Sequence, residues 1–283
     1  LQNILDELTP ISNYNYTISC LFIQICYNIV MILEYNNQEN QFYNIREVAK
    51  GYFHMSDKLI VKLKNKQKIL LNGKVSKISN TLQKNDIVQF DLNYDEESEN
   101  IVPTKLDLDI VFEDDALLIV NKPANMPVHP SINHYEDSLS NGVKYYFNEI
   151  ELNKKIRPVN RLDKDTSGLV VFAKNEYIQE NLINQMKSGN FKKEYIAILE
   201  GIPTKAQGTI NVPIARKEGS IIEREINFDN GQEAITLYKI LETKENLSLV
   251  KFELKTGRTH QIRVHSKYIN CPILGDTLYN KKS

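Results

Sequence analysis

The chain of 283 residues is 41% apolar and 25% charged, with 11 Gly and 9 Pro. That composition excludes a disordered tail or a fibrous repeat and allows one large domain or a catalytic domain with a small module. Thirty-five basic residues balance 36 acidic ones for a formal charge of −1, so any nucleic-acid binding must rest on a local patch rather than on bulk charge.

Three cysteines, Cys20, Cys26 and Cys271, form no paired CxxC; zinc and dithiol frameworks are not expected, and a reducing cytoplasm is. The run Ile18 to Leu33, 16 residues broken by Ser19, Gln24 and Asn28, is short for a membrane span, and the first basic residue is Arg46, so the positive region of a signal peptide is missing. No membrane partner is expected. Residues 1–30 show neither helical nor strand period, and Met31 opens a stretch of ordinary soluble composition. We therefore expect Met31 to be the natural start and residues 1–41 to be an N-terminal extension, with 1–30 upstream of the native chain.

A compact module is expected over 42–94. IREVAKGYF reads as helical, and Ser56 stands as an N-cap before DKLIVKLKNK, whose Leu59, Ile60 and Leu63 share one face. The strands KILLNG and KVSKI meet across Asn72-Gly73, a strong hairpin signal, and IVQFDL follows the Asn85-Asp86 turn. Seven lysines fall between Lys58 and Lys77 with Asp57 as their acidic neighbour, the patch that the net charge conceals. Residues 95–108, acidic and carrying Pro103, read as a linker.

A new pattern begins at 109 and runs to 283. Two strands flank the turn Glu113-Asp114-Asp115, a helix is expected over 137–149, the strand LVVFAK at 169–174, and an amphipathic helix from Glu176 to Lys187 ended by Gly189. Strands then dominate, FKKEYIAILEG, GTINVPIA, IIEREINF, EAITLYKIL and LSLVKFELK, before a final helix from about Gly257. Consecutive strands with a few separate helices predict an α+β fold with a mainly antiparallel sheet.

The chain has no GxGxxG, GxxxxGK[ST], HExxH or GxSxG, so the dinucleotide, P-loop, zincin and serine-hydrolase readings lack their defining parts. His260 and His265, five apart, would lie about 140° apart on a helix and cannot face one metal. What stands out is arginine. There are 28 Lys but only 7 Arg, and four of the seven lie in IRPVNRLDKDTSGLVVFAK (Arg157, Arg161) and LKTGRTHQIRVH (Arg258, Arg263). The first stretch delivers the charged turn Arg161 to Asp165 directly before a core strand, where a rigid scaffold presents reactive groups; from the charges alone an ordinary salt-bridged turn fits equally well.

The segments NKPANMPVHPS (121–131), NRLDKDTSGLVVFAK (160–174), FKKEYIA (191–197), LKTGRTHQIRVH (254–265) and CPILGDTLY (271–279) resemble, in order and spacing, the successive motifs of RluA-type pseudouridine synthases. The module at 42–94 resembles the S4-like RNA-binding module, which docks a basic helical hairpin on structured RNA. These resemblances imply a pseudouridine synthase catalytic fold over 109–283, acting on structured RNA, ribosomal RNA ahead of transfer RNA, as a monomer in the cytoplasm and with no cofactor or metal. They imply that Asp163 is the catalytic carboxylate, nucleophile or electrostatic partner at C1′ of the uridine, with Arg263 its cation and Tyr195 stacked on the uracil. Helical spacing puts Arg263 with Thr259, His260 and Lys267 and leaves Arg258 on another face. Arg161 and Lys164 would hold phosphates beside a flipped nucleotide, with Asn160, His129, Arg258 and His260 as further RNA contacts and Lys58, Lys62 and Lys66 as the docking surface. Gly168 would admit close backbone approach.

Three departures accompany the resemblance. Asn160 stands where the family has His, Asn125 replaces a Gly in a turn that needs a left-handed residue, and the sequence stops shortly after GDTLY, so a C-terminal segment of the domain is expected to be missing. Two other functions fit parts of the pattern. One is a non-catalytic RNA-binding or ribosome-assembly factor. The other is a glycosidase using Asp163 and Asp165, whose closeness in sequence places them poorly for opposite sides of a sugar.

Overall fold

A computed structural model describes residues 31–96 and 100–280. The expected extension 1–30, with Cys20, Cys26 and most of the Ile18 to Leu33 run, lies outside the described residues. Among those described, no helix is long and apolar enough to cross a membrane. The chain divides into two compact units, one up to Asn181 and the other from Leu182, and every strand pairing is antiparallel.

The first unit opens with a four-stranded sheet of β1 (Ile32–Asn36), β2 (Ile69–Leu71), β3 (Lys74–Val75) and β4 (Ile87–Asp91), ordered β1-β4-β2-β3. β1 was not legible as a strand in the sequence; its Leu33 and Tyr35 alternate into the core beside Val88 and Phe90 of β4. The short helix α1 (Ile45–Glu47) runs into a π-helical turn (Val48–Tyr52), and α2 (Asp57–Asn65) starts at Ser56, whose side chain accepts from Leu59 N as expected of an N-cap. Leu59, Ile60 and Leu63 of α2 are buried together. Asn72 and Gly73 both have positive φ, 51° and 76°, the type I′ combination that makes Asn-Gly a hairpin signal.

The module is tied to the rest of its unit by buried charge. Glu96 accepts from Lys62 at 2.5 Å and Arg157 at 2.7 Å, Lys62 reaches Glu176 at 2.8 Å, and Ser56 donates to Glu180 at 2.6 Å. Burial works against the Glu96 carboxylate, yet the hydrogen bonds from Arg157 and Lys62 win and hold its pKa below the usual range. The described residues of the segment expected as a linker, 95–96 and 100–108, accordingly pack as a strap. Ile101 and Leu108 join the core cluster, and Asn141 donates to Val102 O while accepting from Ser138 in a capping box.

That cluster is built by β5 (Asp109–Glu113), β6 (Leu117–Lys122), β7 (Gly168–Ala173) and α3 (Leu139–Glu149), with Leu118, Val120, Val143, Phe147, Val170 and Phe172 all fully buried. The strands are ordered β5-β6-β7. Residues 157–160 lie along the far edge of β7 through Val159 N to Val171 O, Ala173 N to Arg157 O and a bridge between Pro158 and Phe172. Residues 161–167 are therefore the tip of a hairpin. α4 (Glu176–Ser188) follows.

The second unit is a four-stranded sheet ordered β8-β13-β12-β9, from β8 (Lys193–Glu200), β9 (Gln207–Asn211), β12 (Ile235–Lys244) and β13 (Leu247–Leu254), with a hairpin of β10 (Ile214–Arg216) and β11 (Arg224–Ile226). The final helix, α5 (Gln261–Tyr268), starts four residues later than the sequence predicts. Gln261 explains the delay: its Oε1 accepts from Thr256 Oγ1 and Arg258 N, which holds the preceding loop out of the helix.

Gln261 Nε2 also donates to Ile235 O and Thr236 Oγ1, and His265, one turn on, meets Thr236 Oγ1 at 2.9 Å and Val212 O at 3.1 Å. Residues four apart share a helix face, so the Gln and second His of HQIRVH pin α5 to β12 while Arg263, two residues from each, points elsewhere. Because Val212 O can only accept, His265 Nε2 carries a proton, and the Thr236 hydroxyl, which accepts from Gln261 Nε2, has its own proton to give to Nδ1 of a neutral ring. Burial lowers its pKa, outweighing the Val212 hydrogen bond. The unfolded chain thus takes up a proton that the fold refuses. Stability is full above the free-imidazole pKa of about 6.5 and falls as pH drops below it, by at most about 1.4 kcal/mol per pH unit. The difference in denaturation midpoint between wild type and His265→Gln should shrink from pH 7.5 to pH 5.5. An unchanged difference would show that His265 is not buried neutral.

Candidate active site

The site residues of the first unit gather at the hairpin tip after residue 160. Leu162 packs on the core cluster, and Thr166 N donates to Asp163 O at 3.1 Å, closing a turn over Asp163-Lys164-Asp165-Thr166. Asp163 is half-buried, while Arg161, Lys164 and Asp165 are exposed. Gly168 has φ +129°, a region essentially confined to glycine. A Cβ there would come no nearer than 3.8 Å to Leu162, so within the protein it is this backbone angle that requires Gly168.

Beneath the turn lies a residue of the NKPANMPVHPS motif to which the sequence reading gave no role of its own. Lys122, at the end of β6, is fully buried and donates its ammonium to Pro123 O at 2.8 Å, Met126 O at 2.7 Å and Lys164 O at 3.0 Å. Three carbonyls match the three ammonium protons in number. Burial pushes the Lys122 pKa down to about 8 against the pull of Asp165 and Asp163, so the side chain stays cationic at neutral pH. One ammonium thereby fastens the NKPANM loop to the turn that carries Asp163. Asn125 has φ 63°, the left-handed conformation expected where it replaces glycine. The missed signal was present in the sequence: a lysine closing an alternating apolar strand just before proline has no solvent-facing position to occupy.

His129 lies near this tip. Its Nδ1 is 3.3 Å from Ser140 Oγ, which itself donates to Val128 O. Burial and then the nearby charge of Arg161 lower the His129 pKa, so the imidazole is neutral and sits within the field of Arg161.

Two of the expected RNA contacts have partners within the protein. Asn160 donates to Leu169 O and accepts from Val171 N, both at 2.9 Å, so its amide bridges the hairpin. Lys62 lies between Glu96 and Glu176, and those hydrogen bonds hold its pKa raised despite desolvation. Lys58 remains extended, with a side chain 85% exposed and Glu176 4.0 Å away, and Lys66 sits 5.2 Å from the Tyr94 ring centroid.

In the second unit, Tyr195 lies on β8 opposite Phe252 and packs against the cluster of Leu199, Val250, Phe252 and Cys271, half-buried on the inward side of a strand whose Ile196 and Ile198 face outward. Arg263 donates Nε to Asp276 Oδ2 at 2.7 Å and Nη2 to Asp276 Oδ1 at 2.9 Å. Arg263 and Lys267 both approach the Tyr279 ring, at 4.9 and 5.8 Å, and His260 Nδ1 meets Tyr279 Oη at 2.8 Å. The expected face of His260, Arg263 and Lys267 therefore converges on one tyrosine, whereas Thr259 precedes the helix. Arg258 is exposed and donates Nε to Glu233 O at 2.9 Å.

Replacing Lys122 by Met preserves length and removes three charge-assisted hydrogen bonds, leaving three buried carbonyls without a donor. Hydrogen bonds to charged groups are worth roughly 1.5–3 kcal/mol each and unsatisfied groups cost more. We expect the Lys122→Met protein to lose about 3 kcal/mol or more in chemical denaturation and its Thr166 amide to exchange faster. Wild-type stability with an unchanged Thr166 amide would show that the ammonium does not hold the turn.

Comparison with known proteins agrees with the motifs. Residues 116–268 match the family described as RNA pseudouridylate synthase. The chain is 37% identical over 217 residues to the uncharacterized RNA pseudouridine synthase YlyB of Bacillus subtilis, spanning 76% of this chain and 71% of that protein. Its identity to YhcT of the same organism, also an uncharacterized RNA pseudouridine synthase, is 37% over 250 residues, or 88% and 82% of the two chains. Ribosomal large subunit pseudouridine synthase D of Blochmanniella floridana is 41% identical over 183 residues, 64% of this chain and 57% of that one. Among solved structures, human RNA pseudouridylate synthase domain containing 1 superposes with a TM-score of 0.51 at 27% identity, covering 62% of this chain and 70% of its own. With its fold, its ordered motifs and more than half its length matched, the chain belongs to the RNA pseudouridylate synthase family.

Proposed function

We propose that this enzyme isomerises specific uridines of large-subunit ribosomal RNA to pseudouridine, with Asp163 as the catalytic carboxylate, Arg263 as its cationic partner and Tyr195 as the aromatic surface for the uracil. The reaction breaks the bond between N1 and C1′, turns the base and joins C5 to C1′; C5 gives up its proton and N1 takes one up, so atoms and electrons balance without a redox partner. The observation that carries this reading is the Asp163 turn, a half-buried carboxylate on a hairpin tip between Leu162 in the core and the Lys122 ammonium beneath. A carboxylate held on a rigid element meets the geometric demand of reaction at a single carbon. The named function of the Blochmanniella floridana relative supports ribosomal RNA as substrate.

The module at 42–94 is proposed as an S4-like docking surface. Lys58 and the exposed Lys64 on α2, with Lys66 at its C-cap, supply charge, and lysine neutralises phosphate as a point charge without bidentate geometry. Arg161 and Lys164 are proposed to contact phosphates beside an extruded uridine, and His129, Arg258 and His260 to border it.

Incubation with ribosomal RNA from a strain lacking the gene, followed by carbodiimide treatment and primer extension, should give new stops with wild type. Asp163→Asn should give none while still retaining RNA on a filter. Replacing Lys58, Lys64 and Lys66 by Ala should weaken retention and flatten its dependence on salt. Equal stops from wild type and Asp163→Asn would remove Asp163 from the chemistry. No stops from wild type, with retention intact, would favour a binding factor.

A further inference from the structure

The segment CPILGDTLY carries two side chains to which the reading above gives no task. Asp276 is nearly sealed, with a side chain 4% exposed. Its Oδ1 accepts from Leu278 N at 3.0 Å and Tyr279 N at 3.1 Å, which fixes the carboxylate in its own turn before any partner arrives. Onto this fixed group Arg263 places Nε and Nη2 side by side. A planar guanidinium gripped along one edge by two parallel bonds can neither rotate about its long axis nor swing. Tyr279 closes its face, with the ring centroid 4.9 Å from Cζ.

The ring is itself anchored at its far end. Tyr279 Oη accepts from Arg224 N at 2.8 Å, which leaves the hydroxyl proton for His260 Nδ1 at 2.8 Å. The His260 and Tyr279 rings meet edge to face at 5.6 Å. Each support is local to this unit, and together they hold the guanidinium edge and face.

We propose that Asp276 and Tyr279 are positioning residues for Arg263: they fix the guanidinium in one orientation so that its remaining edge acts in the pseudouridine reaction. The inference rests on the proposed role of Arg263. A sealed ion pair returns little net stability once desolvation is counted, so an arrangement this fully supported is explained by orientation better than by stability. Arginine without the clamp would sample many rotamers and be aligned in only a fraction of molecules, which lowers turnover with little effect on RNA affinity.

Three measurements on the full chain test this. In free wild-type protein, the Arg263 Nε–H resonance, assigned by its absence in Arg263→Lys, should be sharp and slow to exchange, and Asp276→Asn should broaden or erase it. In turnover, Asp276→Asn should lower kcat by about 10- to 100-fold with KM for RNA within about twofold. Combined with Arg263→Lys, it should cost almost nothing more, because groups acting as a unit are non-additive. Should Asp276→Asn fail to fold, Asp276→Glu, which keeps the charge one methylene out of place, carries the same comparison with a smaller loss of kcat. Tyr279→Leu should reduce kcat in the same direction. An unperturbed Arg263 resonance, wild-type kcat, or losses that simply multiply in the double variant would overturn the proposal. The resonance is read without substrate, so it reports on the clamp even if the wild type forms no pseudouridine and the functional reading itself is what fails.

Discussion

A single buried ammonium governs the geometry of the proposed active centre. Lys122 lies fully buried at the end of a core strand, and a charge so placed is tolerable only because Pro123, Met126 and Lys164 each turn a carbonyl toward it. Those carbonyls belong to two loops distant in sequence, so satisfying one charge defines the spacing between them. The turn bearing Asp163 inherits its position from that constraint and from Leu162 below. Polar groups left half-satisfied in a protein interior cost more than apolar ones, and this requirement leaves the hairpin tip little freedom.

The same economy of charge recurs in the first unit. The lysine-rich stretch reads in one dimension as a uniform basic patch, but in space its members have different duties. Lys62 joins Glu96 and Glu176, Lys68 meets Asp91 at 2.5 Å, and Lys58 stays extended into solvent. Counting lysines therefore overstates the surface available to phosphate. In the second unit Arg263 has two of its nitrogens engaged by Asp276, so the specialised property of the pair is orientation rather than net charge.

Much of this was legible in the sequence, and for identifiable reasons. Period-two and period-3.6 patterns located β6, β7, α2 and α4, and Asn72-Gly73 and Ser56 marked their hairpin and cap because their local chemistry allows few alternatives. Asn125 adopted the left-handed conformation that its substitution for glycine requires. What escaped was whatever depends on tertiary partners. β1 is recognisable only once β4 pairs with it, and the acidic strap at 95–108 looked solvated because its partners Lys62, Arg157 and Asn141 are far away in sequence. Asn160, Lys62 and Lys122 carry side chains equally suited to RNA or to the protein's own polar groups, and residue type alone does not choose between the two. The late start of α5 is of the same kind, set by Gln261 folding back on Thr256 and Arg258.

The central claim is that the carboxylate of Asp163 meets the ribose carbon of an extruded uridine. A crystal structure with a short RNA hairpin bearing 5-fluorouridine at the modified position tests it most directly, since fluorine at C5 removes the proton whose loss completes the reaction. The account predicts that nucleotide out of its stack, its C1′ within about 3.5 Å of an Asp163 oxygen and its base against Tyr195. A target nucleotide seated on other residues, with Asp163 turned away from the sugar, would contradict it.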